Sequence, residues 1–552
     1  MTIITEEIMD KLQKKELECS KKIGILLDRG LALISTVYNC FNRKITYVPL
    51  DVNWPNERIN KIIAHNKLDV TITTKNHFER ITCQKIIVVE NNDNIMLCNQ
   101  FHDNEAAYIL HTSGSTGNPK GVEVTREGLF NFIEGISEII DFSPGKRIAC
   151  LTTVSFDIFF LESIMALHKG LTVVLANEDE QRNPKLMANL IQSNTVDMIQ
   201  MTPSRMQLLL NHDKELSCLK NVKEIMIGGE SFHLSLLQAL QEKTTAKIYN
   251  MYGPTETTIW STVSDLTHKD QVDIGRPIKN TEVYIVDESM SILPDGHAGE
   301  ICIAGKGLAK GYVGRDKLTT EKFVCLPQKP DVRIYRTGDM GRYLSGGDLE
   351  CLGRADNQVK IRGHRIELEE IESHINQVNG INQSVVIALE TSETDKILEA
   401  FYTSDTTIDQ KDITDYLSSK LPEYMIPVIL KRVENFIQTA NEKIDRKRVL
   451  ECVEIKTENL PTQGSDIAGL SDIQKRVFDV IVANLDSKID DVTLETVFAG
   501  AGVDSITFIT IVVALESEFD FEFDDEKLLI TEFPTIKSMV DYVESKVLYE
   551  QM

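Results

Sequence analysis

Between residues 21 and 340, short β-branched runs alternate with longer stretches of helical spacing, and this alternation narrows the possible folds more than any other feature of the chain. "KKIGILLD", "DVTITT", "QKIIVVE", "GLTVVLA", "VDMIQM" and "VKEIMIGG" have the length and β-branching of buried strands. "PKLMANLIQSN", between two of them, repeats its apolar residues at helical intervals. Strand and helix in turn predict parallel sheets covered by helices, the α/β class. From about residue 281 strands dominate ("EVYIVDE", "GEICIAG"), which predicts a β-rich subdomain. Residues 357–450 read as a small α+β unit, the polar stretch 455–470 as a linker, and residues 471–548 as helices only.

At 552 residues the chain exceeds what one core supports, so several domains are expected. Its 42% hydrophobic and 26% charged residues fit globular domains and exclude a disordered chain. A net charge of −25 repels nucleic acid and anionic membrane, which argues against both as partners. Residues 471–552 hold 18 acidic and 6 basic side chains, about half of that net charge. No apolar run reaches the ~18 residues of a membrane span, and the first residues lack the apolar core of a signal peptide. The ten cysteines are scattered with no CxxC pair, and read as reduced, mostly packed thiols of a cytoplasmic protein.

Several short motifs carry chemistry. "LHTSGSTGNPKGV" (110–122) sets Gly114, Gly117 and Gly121 among the hydroxyls of Thr112, Ser113, Ser115 and Thr116, with Lys120 at its end. Glycines allow close backbone approach, and the hydroxyls and ammonium suit a phosphate. It is not the P-loop pattern, and a solvated Gly/Ser turn is the alternative. "NMYGPTETTIW" (250–260) offers Tyr252 to stack on a purine and Glu256 as an oxygen ligand for Mg²⁺. "YRTGDMGRY" (335–343) places Asp339 in a glycine turn, suited to ribose hydroxyls. "GRADNQVKIRGHRIELEEIE" (353–372) combines Arg354 and Asp356 with a run of charge. Capping, a hairpin turn and a solvated charged face are the competing readings of these three.

In this order and spacing, together with "TYVPLDVNWPNERI" (46–59), "GEICIAGKGLAKGY" (299–312) and "LPEYMIP" (421–427), the motifs resemble those of adenylate-forming enzymes. The nearest branch is the adenylation domain of nonribosomal peptide synthetases. The resemblance covers roughly residues 20–450. It implies an adenylate-forming fold with an N-terminal core over 1–354 and a C-terminal lid over 355–454, then the 455–470 linker. It also implies that the 112–121 loop grips the phosphates of ATP, with Lys120 at its end, and that Asn250, Tyr252, Gly253, Thr255, Asp339 and Arg354 line the nucleotide site. By the same resemblance Glu256 holds Mg²⁺, Asp356 is the hinge of the lid, and Lys443 bridges the substrate carboxylate and the α-phosphate. Carboxylate attack on phosphate joins two anions, so cations and positioned donors belong there. Two departures stand out: Ile437 and Glu442 replace the usual proline and glycine around Lys443, and only about twenty residues precede "IGILLDRG". A slower or differently gated lid is expected.

The positions that set the amino acid in this branch correspond to Asp157, Ile158, Leu161, Gln200, Met226, Gly228, Met251, Ile259 and Trp260, with Lys443. Asp157 resembles the partner of the α-ammonium, and a buried charge needs one. The remaining walls are bulky except Gly228, which leaves room for hydrogen or a methyl. Glycine is the expected substrate and alanine the second. The alternative is that these apolar residues are ordinary core.

"GVDSI" (502–506) opens an apolar helix and resembles the phosphopantetheine site of carrier proteins, with Ser505 bearing the 4'-phosphopantetheine; a plain helix cap is the alternative. Residues 471–552 then form an all-α, four-helix carrier domain. The expected protein is an adenylation–thiolation didomain, a ligase of antibiotic or secondary metabolite biosynthesis. It would depend on a phosphopantetheinyl transferase and on condensation or other downstream enzymes in trans. Its rivals are a free acyl-CoA ligase and a non-catalytic carrier scaffold.

Overall fold

The computed structural model describes residues 3–17, 20–97, 105–114, 117–390, 396–437, 444–452, 471–483, 485, 492–496, 498, 505–519, 521, 523–524, 533 and 535–550. It forms two compact units, Met1–His374 with Asp415–Met425, and Ile375–Thr414 with Ile426–Met552.

The first unit holds two large sheets. A seven-stranded sheet runs, edge to edge, through Gly311–Tyr312, Lys120–Thr125, Ala106–Thr112, Thr46–Pro49, Lys22–Leu26, Val70–Thr73 and Lys85–Val88. An eight-stranded sheet runs through Ile3–Ile4, Thr172–Leu175, Arg147–Cys150, Met198–Met201, Glu224–Gly228, Lys247–Tyr252, Thr262–Asp265 and Arg276–Pro277. Both are parallel at the centre, as βαβ connections require; the eight-stranded sheet is antiparallel at both ends, and the seven-stranded sheet only at its Gly311–Tyr312 end. The six expected strands all form. "QKIIVVE" departs in burial: Lys85–Val88 is an edge strand with Lys85 and Val88 exposed, because it has a neighbour on one side only. The described residues of the short N-terminal segment join two sheets. Ile3–Ile4 pairs with Val173 and Val174, and Lys14–Leu17 pairs with Asn94–Leu97.

One apolar cluster joins the sheets. It includes Ile23, Tyr47 and Tyr108 from one, Ile148, Met226 and Met251 from the other, and Phe159, Phe160 and Ile164 between them. Those last three belong to a helical stretch from Ile158 to His168, buried through Leu167, that opens into a π turn over Leu161–Met165. Such turns recur at functional sites. Pro184–Ser193 is the expected helix, with Asn183 capping the Lys185 and Leu186 amides and proline at its first position. Past residue 281 an antiparallel sheet of Thr281–Val286, Gly299–Gly305, Phe323–Leu326, Lys329–Tyr343 and Leu349–Arg354 makes the β-rich part.

In the second unit, Ile381–Glu390, Lys396–Ser404 and Ile429–Arg432 form a three-stranded sheet. Toward the C-terminus, helices Asp472–Ala483, Ser505–Phe519 and Ile536–Glu550 are seen among the described residues. Phe508, Ile511, Val512 and Leu515 recur at helical spacing and share a cluster with Val477, Ile481, Met539 and Val543. The linker 455–470 lies outside the described residues. Among the described residues no helix is long and apolar enough to cross a membrane.

Candidate active site

A cleft of about 90 Å³ in the first unit gathers residues from distant motifs. Thr112 and Ser113 reach it from the glycine-rich loop, Asp157 and Ile158 from the buried helix, and Tyr252, Gly253, Thr255 and Trp260 from the segment after Lys247–Tyr252. Asp339 and Arg354 join them from the antiparallel sheet. Thr112 and Tyr252 end strands of the two α/β sheets, where such sheets place their ligands, whereas Asp339 lies within Lys329–Tyr343 of the antiparallel sheet.

Asp157 is 8% exposed and stands at the start of the Ile158–His168 stretch without a helix-capping hydrogen bond. Its Oδ2 is buried and has no partner. Burial pushes its carboxyl up to about 6, against a hydrogen bond from Thr255. A carboxylate in this state lacks a cation.

The expected side-chain pocket is filled by the protein itself. A Cβ on Gly228 would stand 2.5 Å from the Met251 carbonyl oxygen and 2.9 Å from Cη2 of Trp260. Glycine here lets the tip of the indole approach the strand. Leu161, Gln200, Met226, Met251 and Ile259 are buried around it and do not line the cleft. Trp260 Nε1 and Gln200 Oε1 are buried without partners. Trp260 is set in place by Thr258 and Ile259, both at φ 66°, a conformation that is strained for β-branched residues and recurs at functional sites.

Asp339 accepts a hydrogen bond from the Tyr252 hydroxyl at 2.7 Å and pairs with Arg354 at 3.0 Å. The ladder explains the pair: Asp339 and Arg354 face each other across Lys329–Tyr343 and Leu349–Arg354. Arg354 also grips Asp356 through Nε and Nη2, each at 2.6 Å. Burial alone would raise the Asp356 carboxyl, and Arg354 holds it below its usual range. Asn250 lies beside the cleft and donates to the Asp273 carbonyl.

Glu256 and Lys120 do not line the cleft, because residues 365–370 cover them. Arg365 Nη1 meets both Glu256 oxygens, at 3.0 and 2.8 Å, and the Tyr312 hydroxyl donates to Oε1 at 2.8 Å. Burial would raise the Glu256 carboxyl, but Arg365, Lys120 and Tyr312 outweigh it and hold it at about 2. Lys120 pairs with Glu367 at 3.1 Å, and burial lowers its ammonium. Gly117 has φ +75°, and a Cβ there would meet Ser373 Oγ at 2.6 Å, so the loop turn needs glycine.

Ser115, Thr116 and Lys443 lie outside the described residues, as does Glu442. Ser505 begins the Ser505–Phe519 helix, as expected. Arg365, Glu367, Glu370 and Tyr312 were not singled out from the sequence. For Arg365, Glu367 and Glu370 the signal is the charge run "RIELEEIE", whose partners only the fold reveals; Tyr312 closes "GEICIAGKGLAKGY".

The chain matches the AMP-binding enzyme family over residues 10–313 and the phosphopantetheine attachment site family over 475–543. It is 31% identical to tyrocidine synthase 2 of Brevibacillus parabrevis over 98% of its own length and 15% of that protein's. The chain spans less than a fifth of the length of the first curated relatives it matches. Its fold resembles that of a nonribosomal peptide synthetase protein containing adenylation and carrier domains, with a TM-score of 0.75 and 23% identity over 95% of this chain and 88% of that one. A four-domain nonribosomal peptide synthetase bound to AMP and glycine is 29% identical, with a TM-score of 0.55 over 96% of this chain and 39% of that one.

Proposed function

From the premise that the chain belongs to the AMP-binding enzyme family and joins to it a phosphopantetheine attachment site, as adenylation–thiolation didomains of nonribosomal peptide synthetases do, we propose that it activates glycine with ATP and loads it onto its own carrier. The observation that carries this reading is the unpartnered Oδ2 of buried Asp157, with Trp260 against Gly228 closing the space beyond. Asp157 pairs with the α-ammonium of the substrate, and the indole leaves room for hydrogen in place of a side chain. The 29% identical synthetase bound to AMP and glycine is in line with this choice.

In the first step an oxygen of the glycine carboxylate bonds to the α-phosphorus. The bond from that phosphorus to the bridging oxygen breaks, and pyrophosphate departs with its electron pair. Ser113, the Gly114 amide and Lys120 supply donors and charge for the phosphates. Tyr252 packs on the base, and Asp339 receives the ribose. A buried carboxylate with a neighbouring hydroxyl fits the few protein ligands Mg²⁺ takes beside phosphates. Glu256 would hold it once Arg365 has left, and the ion neutralises phosphate charge. Lys443 bridges the reacting carboxylate and phosphate. A phosphopantetheine on Ser505, placed there by a transferase, supplies the thiol whose sulfur bonds to the acyl carbon in the second step; the acyl C–O bond breaks, AMP departs with that electron pair, and a condensation enzyme receives the thioester.

Amino-acid-dependent ATP–pyrophosphate exchange across the standard amino acids tests this. Exchange with glycine, alanine well behind, is the expected result. Exchange confined to a large amino acid overturns the pocket assignment, and silence with all of them overturns the reading.

A further inference from the structure

Asp157 stands at the junction of two segments, the loop 151–157 that follows strand Arg147–Cys150 and the helical stretch Ile158–His168. No helix-capping bond fixes its side chain. The place of its free oxygen is therefore set by the backbone on either side. On the helical side the Phe160 amide donates to the Asp157 carbonyl at 2.9 Å. On the loop side the fixing groups come from elsewhere in the fold, and one of them is a second buried carboxylate.

Glu162 lies in the π turn, is 0% exposed, and does not line the cleft. It reaches back to the start of the loop. Its Oε2 accepts from the Leu151 and Thr152 amides, each at 2.8 Å, and its Oε1 accepts from the Thr152 hydroxyl at 2.7 Å. Successive backbone amides of this kind form a concavity that takes an anion. The carbonyls of the same two residues are taken as well. Arg29 Nη1 donates to the Thr152 carbonyl at 2.5 Å, and Gln181 and Arg205 both donate to the Leu151 carbonyl, Arg205 at 3.1 Å. Burial raises the Glu162 carboxyl, and the bonds from Thr152 with the charges of Arg205 and Arg29 oppose that. Further along the loop, the Phe156 amide donates to the Thr153 carbonyl at 3.1 Å, and Ser155 Oγ donates to Asp51 Oδ2 at 2.7 Å.

The chain thus closes a ring, from the loop start through Asp157 into the helical stretch and back through Glu162. All four backbone polar groups of Leu151 and Thr152 are bonded, while Asp157 Oδ2 on the same ring is left without a partner. Burying a charge is a poor route to stability, since desolvation offsets much of the attraction. Three bonds from one planar group do something else well: they fix a position.

Resting on the reading of Asp157 given above, we propose that Glu162 is a positioning residue of the amino-acid site, which fixes the start of the loop 151–157 against the π turn and so holds Asp157 Oδ2 toward the α-ammonium. Glu162 touches neither amino acid nor nucleotide. Its loss weakens recognition of the ammonium and leaves the rest of the site as it was. A carboxylate with a structural role alone differs in one respect: its loss lowers stability and treats ligands with and without an ammonium alike.

The test uses two non-reacting acyl-adenylate analogues, glycyl and acetyl sulfamoyl adenosine, which differ only in the ammonium. Calorimetry titrates each into the full natural chain and into Glu162→Gln, with a thermal melt of each protein. Glutamine keeps the length of the side chain but turns one acceptor into a donor among donors. We expect the natural chain to bind the glycyl analogue more tightly than the acetyl one. We expect Glu162→Gln to lose about ten-fold on the glycyl analogue and less than about two-fold on the acetyl one. Equal loss on both, or no loss on the glycyl analogue, overturns the positioning role and leaves the Asp157 reading standing. Equal affinity of the natural chain for the two analogues, or binding of neither, overturns that reading and the role with it. If Glu162→Gln does not fold, Thr152→Val decides. It keeps the shape of the side chain, removes the hydroxyl from Glu162 Oε1, and is expected to lose about three-fold on the glycyl analogue alone.

Discussion

At Gly228 a single missing methyl decides how closely Trp260 can approach the strand. A Cβ there would strike the Met251 carbonyl and the Trp260 ring together, and the backbone partner cannot yield. Gly228→Ala is therefore expected to lower stability by about 1–3 kcal/mol, read as a drop in melting temperature. Trp260→Ala works in the opposite direction and opens space. Exchange with alanine, relative to glycine, is expected to rise roughly 10-fold or more, with a loss of up to about 5 kcal/mol of stability. Asp157 supplies a pH signature. Its carboxyl is raised to about 6, and it must be ionised to pair with an ammonium. The KM for glycine should climb as pH falls below about 6, and Asp157→Asn should remove the inflection along with most activity. The effect on stability has the reverse sign. A raised acid favours the fold below its unfolded value, near 4, and that contribution, on the order of 3 kcal/mol, is lost as pH rises through about 6. The type of every pocket residue was readable from the chain. That Trp260 lies on Gly228 was not, because it depends on the strained pair Thr258–Ile259, and strain leaves no periodic signal.

Among elements, the strands were legible because β-branched runs bounded by turns describe them well. Their rank in the sheet was not. Lys85–Val88 has the composition of an interior strand and lies at an edge, since strand order is set by which crossover packs where. The Asp339–Arg354 pair was likewise hidden. Both residues were noted separately, and only the antiparallel register of two strands sets them opposite each other. Helix ends were easier, since capping is local chemistry. Asn183 bonds two amides at the start of Pro184–Ser193. Asn183→Ala should cost about 1 kcal/mol, measured by urea unfolding, and leave glycine exchange unchanged.

For the molecule as a whole, the proposed function has two halves of chemistry, and substitution of Ser505 tests their separation. Ser505→Ala is expected to keep full ATP–pyrophosphate exchange and to lose all covalent uptake of radiolabelled glycine. Loss of exchange as well would tie the helical C-terminal part to the first step. The division into compact units cuts across the order of the chain. Residues 415–425 belong with the first unit, where Tyr424 stacks on His364 at 3.7 Å and Lys420 pairs with Glu57. A gene truncated after residue 374 would therefore leave Glu57 without Lys420 and His364 without its ring. Recombination between related genes meets the same limit: the block that can be inherited intact runs through residue 425 at least, and a crossover inside 375–425 hands one parent's first unit a piece shaped for another.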